Sequence, residues 1–123
     1  MTVDYVQAVD ALEAVKQLGL LVRDVGLLAS ALERPRTDIF GVEVYPDLHQ
    51  KAAALIDGVN RAHALADGNK RLSWVLTVLF YERNGFDLYA GVEEGERFVI
   101  SVAHEHQEID EVAGWLRAHV RPL

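Results

Sequence analysis

Residues 67–85, DGNKRLSWVLTVLFYERNG, contain a turn signal, a helical segment and a stop signal in succession. Asp67-Gly68-Asn69 is typical of a turn, because glycine accepts a positive φ and Asx side chains bond to nearby backbone groups. From residue 69 to residue 84 the sequence is apolar on almost every side of a helix, and Gly85 ends it. Because a helix that is apolar all round packs at the centre of a bundle, this stretch predicts an all-α fold around one buried helix.

Apolar residues at helical spacing predict further helices on both sides of this stretch. We expect one helix that Gly19 ends, one over Val25–Glu33 before Pro35, one that Pro46 opens, and two over residues 92–105 and 108–120. The expected buried anchors of the last two helices are Phe98, Ile100, Val102, Val112, Trp115 and Leu116. The chain shows no internal repeat and no linker, so residues 1–123 are expected to form a single domain.

Residues 36–45 break the helical period. Ile39, Phe40, Val42 and Val44 cluster around Gly41, a pattern that favours an extended segment or a small hairpin. The predicted fold is therefore a compact all-α helical bundle with a short extended flap, residues 36–45, before the third helix.

Composition excludes several classes of function. A net charge of -7 and a pI near 5.1 argue against nucleic-acid and membrane-surface binding, because both need basic patches. The absence of cysteine excludes disulfides, thiolate nucleophiles and cysteine metal sites. The N-terminus lacks the features of a signal peptide, and the longest apolar run, residues 72–81, is about half the length that a membrane span requires. We therefore expect a cytoplasmic protein that binds neither nucleic acid nor membranes.

The segment before the buried helix carries the candidate chemistry. Three of the chain's twelve basic residues fall within residues 61–71, against an acidic background. A helix that starts just after the turn offers free N–H groups to an anion, and Lys70 and Arg71 would reinforce that site. His63 is suited to act as a general base near neutral pH, and Asp67 could bind Mg²⁺. Together these are the parts of a phosphoryl or nucleotidyl transfer site.

Each part also has an ordinary structural interpretation. A histidine at a helix end is often a cap or a surface residue, Asp67 could be a helix cap, and Lys70-Arg71 could be a solvated face. The residues alone leave both interpretations open. His104 and His106 form an H-x-H pair, but positions i and i+2 on a helix point apart, so we expect no metal site there.

The motif HALADGNKR, residues 63–71, resembles the H-x-F-x-[DE]-G-N-K-R form of the Fic motif in the Doc (death-on-curing) branch of that family. The similarity continues on both sides of it, in GLLASALERP (residues 26–35), YPDL (45–48), KAAAL (51–55) and DEVAGWL (110–116). The resemblance therefore covers most of the chain, and it implies a Fic/Doc-like helical bundle.

The resemblance also implies a role for each residue of the motif. His63 matches the catalytic base and Asp67 the Mg²⁺ ligand. Gly68 and Asn69 match the turn that binds phosphate, and Arg71 matches the phosphate-binding arginine. Lys70 stands where adenylylating Fic enzymes carry a second glycine, and the flap matches the segment that aligns the target by strand-like pairing.

The function that the resemblance implies is that of a toxin of a toxin–antitoxin pair. The resemblance is to toxins that act as kinases. They transfer the γ-phosphate of ATP, with Mg²⁺, to a Thr or Ser hydroxyl of a protein target such as elongation factor Tu, and this transfer blocks translation. An AMP transferase of the Fic type is the first alternative. Ala64 and Leu65 stand where the family commonly has Pro and Phe, which keeps a second alternative open, a non-catalytic protein that binds nucleotide or antitoxin.

Inhibition is expected to come from a separate protein. Many Fic proteins carry an internal [ST]-x-x-x-E-[GN] motif, but the nearest match here, residues 101–105, is followed by His106. The implied partner is a Phd-like antitoxin whose C-terminal segment is amphipathic, partly disordered and folds on binding.

Overall fold

The computed structural model describes residues 2–105 and 107–123. Most of this part of the chain is helical: α1 Ala8–Gln17, α2 Val25–Glu33, a 3₁₀ helix Arg34–Arg36, α3 Leu48–Ala62, α4 Asn69–Arg83, α5 Val92–His104 and α6 Ile109–Ala118. The strands are short: β1 Asp38–Ile39, β2 Val42–Glu43, β3 Phe86–Leu88 and β4 Val120–Pro122. The prediction of a compact helical bundle with a flap before the third helix is confirmed.

Helix α3 contacts more of the fold than the sequence suggests, since α2, α4, α5 and α6 all pack against it. Nine of its fifteen residues are buried. Small residues allow this close packing: residues 52–54 are alanines with no exposed surface. A Cβ added to Gly58 would lie 3.4 Å from the carbonyl oxygen of Ala31 in α2.

Helix α4 shares the centre of the bundle with α3 instead of occupying it alone. Leu72, Leu76 and Phe80 are buried, whereas Trp74 and Val78 are only partly buried. An apolar pattern shows which residues tolerate burial, but the number of neighbouring elements decides how many are covered. One side of α4 faces a groove, described below, and this accounts for the partial exposure of Trp74.

The start of α3 lies two residues later than the sequence predicts. Asp47 is the N-cap, with an extended backbone (φ -90°, ψ 142°), and its carboxylate accepts a hydrogen bond from the backbone N–H of His49 at 2.9 Å. The side chain of Gln50 accepts in return from the backbone N–H of Asp47 at 3.2 Å. This capping box satisfies N–H groups that have no partner within the helix, so Pro46 lies outside it.

The flap contains a small hairpin, one of the two forms that the sequence favoured. β1 and β2 pair antiparallel, with Asp38 opposite Glu43 and Ile39 opposite Val42. The two turn residues both have positive φ, 51° at Phe40 and 84° at Gly41. This is the backbone that a two-residue hairpin turn needs to match the strand twist.

The C-terminal end differs from the sequence prediction. Helix α6 ends at Ala118, and β4 pairs antiparallel with β3, so that Leu88 lies opposite Val120. The helix predicted to reach residue 120 is thus wrong at its end, because strand pairing with a distant segment competes with the last helical turn. Ile100, predicted to be an anchor, is 47% exposed, and His106 lies outside the described residues. Among the described residues, no helix has the length and apolar character to span a bilayer.

Candidate functional site

The candidate base His63 lies at the C-terminal end of α3 in a left-handed conformation, with φ 49° and ψ 41°. Histidine is one of the residues that tolerate this region, although it is uncommon for any residue with a Cβ. Hydrogen bonds from Arg23 and Asp24 to the carbonyl oxygens of His63 and Ala64 hold the chain in this conformation. Arg23 Nη2 donates to the His63 carbonyl oxygen at 2.9 Å, and the Ala64 carbonyl oxygen accepts from the backbone N–H groups of Arg23 and Asp24 at 2.8 and 3.0 Å. The chain therefore turns sharply at His63, the candidate base.

Asn69 closes the loop between the two helices. Its Oδ1 accepts from the Leu65 N–H at 3.1 Å, and its Nδ2 donates to the Leu65 carbonyl oxygen at 2.9 Å. The Asn69 side chain thus forms hydrogen bonds with both the N–H and the carbonyl oxygen of Leu65, as the backbone of a neighbouring β-strand would. This pairing uses one of the two amide hydrogens of Asn69, so the second amide hydrogen and the backbone N–H remain as donors for a phosphate.

Leu65 and Ala64 are each 1% exposed, and both belong to the main core. Leu65 fills the apolar position where the family commonly carries phenylalanine, and its backbone carries both bonds to Asn69. The two departures from the family motif therefore lie inside a closed and buried loop.

Gly68 is required by both its backbone and its surroundings. Its φ is 92°, and a Cβ added to it would lie 2.6 Å from Leu20 Cδ2 and 2.8 Å from Leu20 Cδ1. Gly68 is also the N-cap of α4, and it has no side chain to accept the N–H groups of the first turn. Those N–H groups have no partner within the helix, so the start of α4 can accept an anion.

The charged residues in and just before the motif, within residues 61–71, divide into two kinds. Asp67, Lys70 and Arg71 are exposed, and their side chains have no hydrogen bond or ion pair within residues 2–105 and 107–123. Arg61 differs: its guanidinium donates to the carbonyl oxygens of residues 102, 103 and 105 at the end of α5 and pairs with Asp57. Arg61 therefore has a structural role, and Lys70 and Arg71 are the motif's cations with free side chains in the described chain.

A groove of about 490 Å³ runs between the motif and α5. We call it the motif groove; its lining residues are Asp67, Gly68, Asn69, Lys70, Arg71, Trp74, Ala90, Gly91, Val92, Gly95, Glu96, Val99 and Ile100. The structure thus brings residues 67–71 together in one concave surface. His63 is exposed and does not belong to this lining.

The sequence did not predict that α5 forms one wall of the motif groove. Gly95 is buried, and a Cβ added to it would lie 3.7 Å from Trp74 Cη2, an ordinary van der Waals distance, so the indole packs directly against α5 at this residue. Trp74 also packs edge-on against Trp115, with ring centroids 6.3 Å apart. The spacing Gly91-x-x-x-Gly95 gives no signal for this wall, because a Cβ added to Gly91 would have nothing within 4 Å; only the fold places Trp74 beside Gly95.

Asp67 fits a metal ion that takes most of its ligands from elsewhere. Within the described residues, no three His, Cys, Asp or Glu side chains are grouped so that they could hold a metal together. A single exposed carboxylate suits Mg²⁺, which is commonly bound through one or two carboxylates with phosphate oxygens and water completing its shell.

Comparison with known proteins agrees with this architecture. The model of the Fic/DOC family matches residues 1–81. A curated relative, Toxin Doc of Mycolicibacterium smegmatis (strain ATCC 700084 / mc(2)155), is 42% identical over 99 residues, which are 79% of this chain and 76% of the relative. The chain therefore belongs to the Fic/Doc family.

Proposed function

We propose that this protein is the toxin of a toxin–antitoxin pair and a kinase of the Doc type, which transfers the γ-phosphate of ATP to a Thr or Ser hydroxyl of a protein. The observation that carries the proposal is the motif groove. It joins the uncapped start of α4 and two cations, Lys70 and Arg71, to an apolar wall. Such a surface suits an elongated ligand with a phosphate end and an aromatic end, as ATP has.

Lys70 supports transfer of the γ-phosphate over transfer of AMP. Where adenylylating relatives have glycine, a long cationic side chain would crowd the α- and β-phosphates out of the start of α4. A nucleotide bound in the opposite direction directs its γ-phosphate to this end. Its base then meets the wall that Trp74, Val92 and Val99 form.

The transfer needs one proton acceptor and compensation of negative charge. The oxygen of the target hydroxyl forms a bond to the γ-phosphorus, the bond from that phosphorus to the oxygen bridging to ADP breaks, and ADP leaves with the bond's electron pair. His63 takes the hydroxyl proton. Lys70, Arg71 and the N–H groups at the start of α4 stabilise the charge on the transferring group. Asp67 would hold Mg²⁺, which neutralises phosphate charge when it is bound.

The flap supplies the surface for the target. Both strands of the hairpin are exposed, and the hairpin lies before the helix that leads to His63. An extended segment of the target can pair with such an edge through its backbone, which aligns a hydroxyl for transfer. Elongation factor Tu is the target that we propose, with blocked translation as the result and the cytoplasm as the place of action.

The proposed partner is a Phd-like antitoxin whose C-terminal segment folds on the toxin. The name of the relative, Toxin Doc, supports a toxin–antitoxin pair. Co-expression with the neighbouring gene should restore growth and yield a complex that co-purifies. An active toxin that binds no neighbouring product would contradict this part of the proposal.

Labelled nucleotide tests the direction of transfer. The protein is incubated with Mg²⁺, elongation factor Tu and ATP labelled at either the α or the γ position. Label on the target from γ-labelled ATP alone is the expected result. Label from α-labelled ATP would overturn the proposal in favour of AMP transfer, and the absence of both, together with normal growth on induced expression, would indicate a non-catalytic binding protein.

A further inference from the structure

A buried cation, Lys51, joins the flap to the body of the protein. Lys51, near the start of α3, is 2% exposed. Its Nζ donates to Glu43 Oε1 at 2.8 Å and to the Tyr45 carbonyl oxygen at 2.5 Å. Glu43 belongs to β2 and Tyr45 ends the flap, so both acceptors lie on the segment that the ammonium holds.

The flap has few other attachments. Each of its strands has two residues, all of them exposed, and an isolated two-stranded hairpin is marginal in water. The remaining side-chain ties lie at its ends. Arg34 Nε donates to the Tyr45 hydroxyl at 3.2 Å, and the Arg36 guanidinium lies 4.5 Å from the centroid of the Tyr5 ring. Within the described residues, Lys51 is thus the tie that reaches a strand of the hairpin.

A lysine in this position is better explained by geometry than by stability. Burial of an ammonium is unfavourable unless it is paired, and an apolar side chain of similar size often leaves a protein equally stable. A methionine side chain at this position would fill the same space but would lack the directed bonds of Lys51. What the ammonium adds is a fixed direction between α3 and the flap.

Helix α3 connects this tie to the candidate base. Lys51 and His63 lie on one continuous helix and its C-cap, about 18 Å apart along its axis at the usual rise per residue. A helix is a rigid spacer over this length. The orientation of the flap relative to His63 is therefore set where Lys51 meets Glu43 and Tyr45.

We propose that Lys51 is a positioning residue that fixes the flap relative to His63 and so determines the affinity for the protein substrate. This inference rests on the proposed function, in which the flap receives the target. Lys51 contacts neither nucleotide nor the reacting atoms in this proposal. Its loss should weaken the binding of the target and leave the binding of ATP intact.

The test is Lys51→Met in the full chain, with two independent readouts. Loss of charge-assisted hydrogen bonds should raise the amide hydrogen-exchange rate of residues 37–44 by about tenfold. It should also raise the KM for elongation factor Tu by about tenfold, while kcat and the KM for ATP stay within about twofold of the wild type. An unchanged exchange rate and KM, or a fall in kcat with an unchanged KM, would overturn the proposal.

Two further variants keep the test decisive. Glu43→Ala removes the acceptor from the flap without touching the core, and it should change both readouts in the same direction even if Lys51→Met does not fold. Glu94→Ala is the matched control, since Glu94 is similarly exposed and its partner His119, at 3.4 Å, does not belong to the flap. If the wild type transfers nothing to elongation factor Tu, the proposed function fails, and hydrogen exchange alone still decides whether Lys51 holds the flap.

Discussion

The side-chain amide of Asn60 donates to the hydroxyl of Ser73 at 2.8 Å, across the buried contact between α3 and α4. The same nitrogen donates to the Ile56 carbonyl oxygen at 2.8 Å, and the Ser73 hydroxyl donates to the Lys70 carbonyl oxygen at 2.7 Å. Asn60 precedes His63 by less than one turn, and Lys70 lies in the first turn of α4. The pair therefore fixes the helix that ends at the candidate base against the helix that begins at the candidate phosphate site.

Asn60→Ala is expected to lower the free energy of unfolding by about 2–3 kcal/mol, because it removes a buried hydrogen bond and leaves a cavity. Ser73→Ala should lower it by about 1 kcal/mol, since Asn60 keeps its bond to Ile56. Urea denaturation of the two single variants and the double variant measures the coupling. Strictly additive effects would contradict the link between the helices, and Ser30→Ala, at an exposed position of α2, is the control for a neutral substitution.

Gly68→Ala should destabilise the protein more than Gly85→Ala. The two glycines have nearly the same φ, 92° and 91°, but only Gly68 has Leu20 within reach of an added Cβ. The strain of the backbone, about 1 kcal/mol, is thus common to both, and the difference between them reports the contact with Leu20. Thermal denaturation measures this difference in stability. A second substitution, Leu20→Ala, should recover part of the stability lost in Gly68→Ala but none of that lost in Gly85→Ala. Equal losses in the two single variants would refute the steric argument.

His63→Gly and His63→Ala should both abolish phosphate transfer but differ in stability. The left-handed backbone at His63 is strained for any residue with a Cβ and relaxed for glycine. The free energy of unfolding of His63→Gly should therefore exceed that of His63→Ala by about 1 kcal/mol. Transfer of label from γ-labelled ATP and thermal unfolding are measured on the same samples. A His63→Ala protein with full transfer activity would exclude His63 as the base.

The free energy of unfolding should fall as the pH is lowered below about 6.5, owing to His49. Burial lowers the pKa of His49, with Asp47 opposing this and Arg117 adding to it. Its Nδ1 lies 2.9 Å from the Tyr81 hydroxyl, and burial raises the pKa of Tyr81, so the phenol stays protonated and can donate to a neutral imidazole. The unfolded chain, with an ordinary histidine pKa of 6.5, then binds the proton more readily than the folded one.

Urea midpoints between about pH 7.5 and 5.5 measure this dependence. His49→Gln should reduce the slope, because glutamine does not titrate. His104→Gln, at an exposed position of α5, should keep the slope of the wild type. The same slope in the His49→Gln protein would assign the dependence to other groups.

Elements whose signals are local could be predicted from the sequence. Gly41 in an apolar cluster predicted an extended segment or a small hairpin, and the turn signal at Gly68 predicted the start of α4. The motif residues 67–71 indeed share one surface, because a turn and the first turn of a helix bring neighbours in the chain together. The sequence also predicted the family, since the resemblance of the motif and its flanking segments covers most of the chain.

The sequence by itself determined the helices, the flap and the chemical character of the motif, because capping, turn geometry and helical periodicity act between residues a few positions apart. Only the tertiary structure decided that Arg61 holds the end of α5, that β4 pairs with β3, and that Trp74 and Gly95 of α5 line the same groove. The physical reason is that each of these depends on partners distant in the chain, and a residue's type does not specify which distant partner reaches it. Lys51 is a further example. The sequence shows that it carries a charge, but only the fold shows that it is buried beneath the flap.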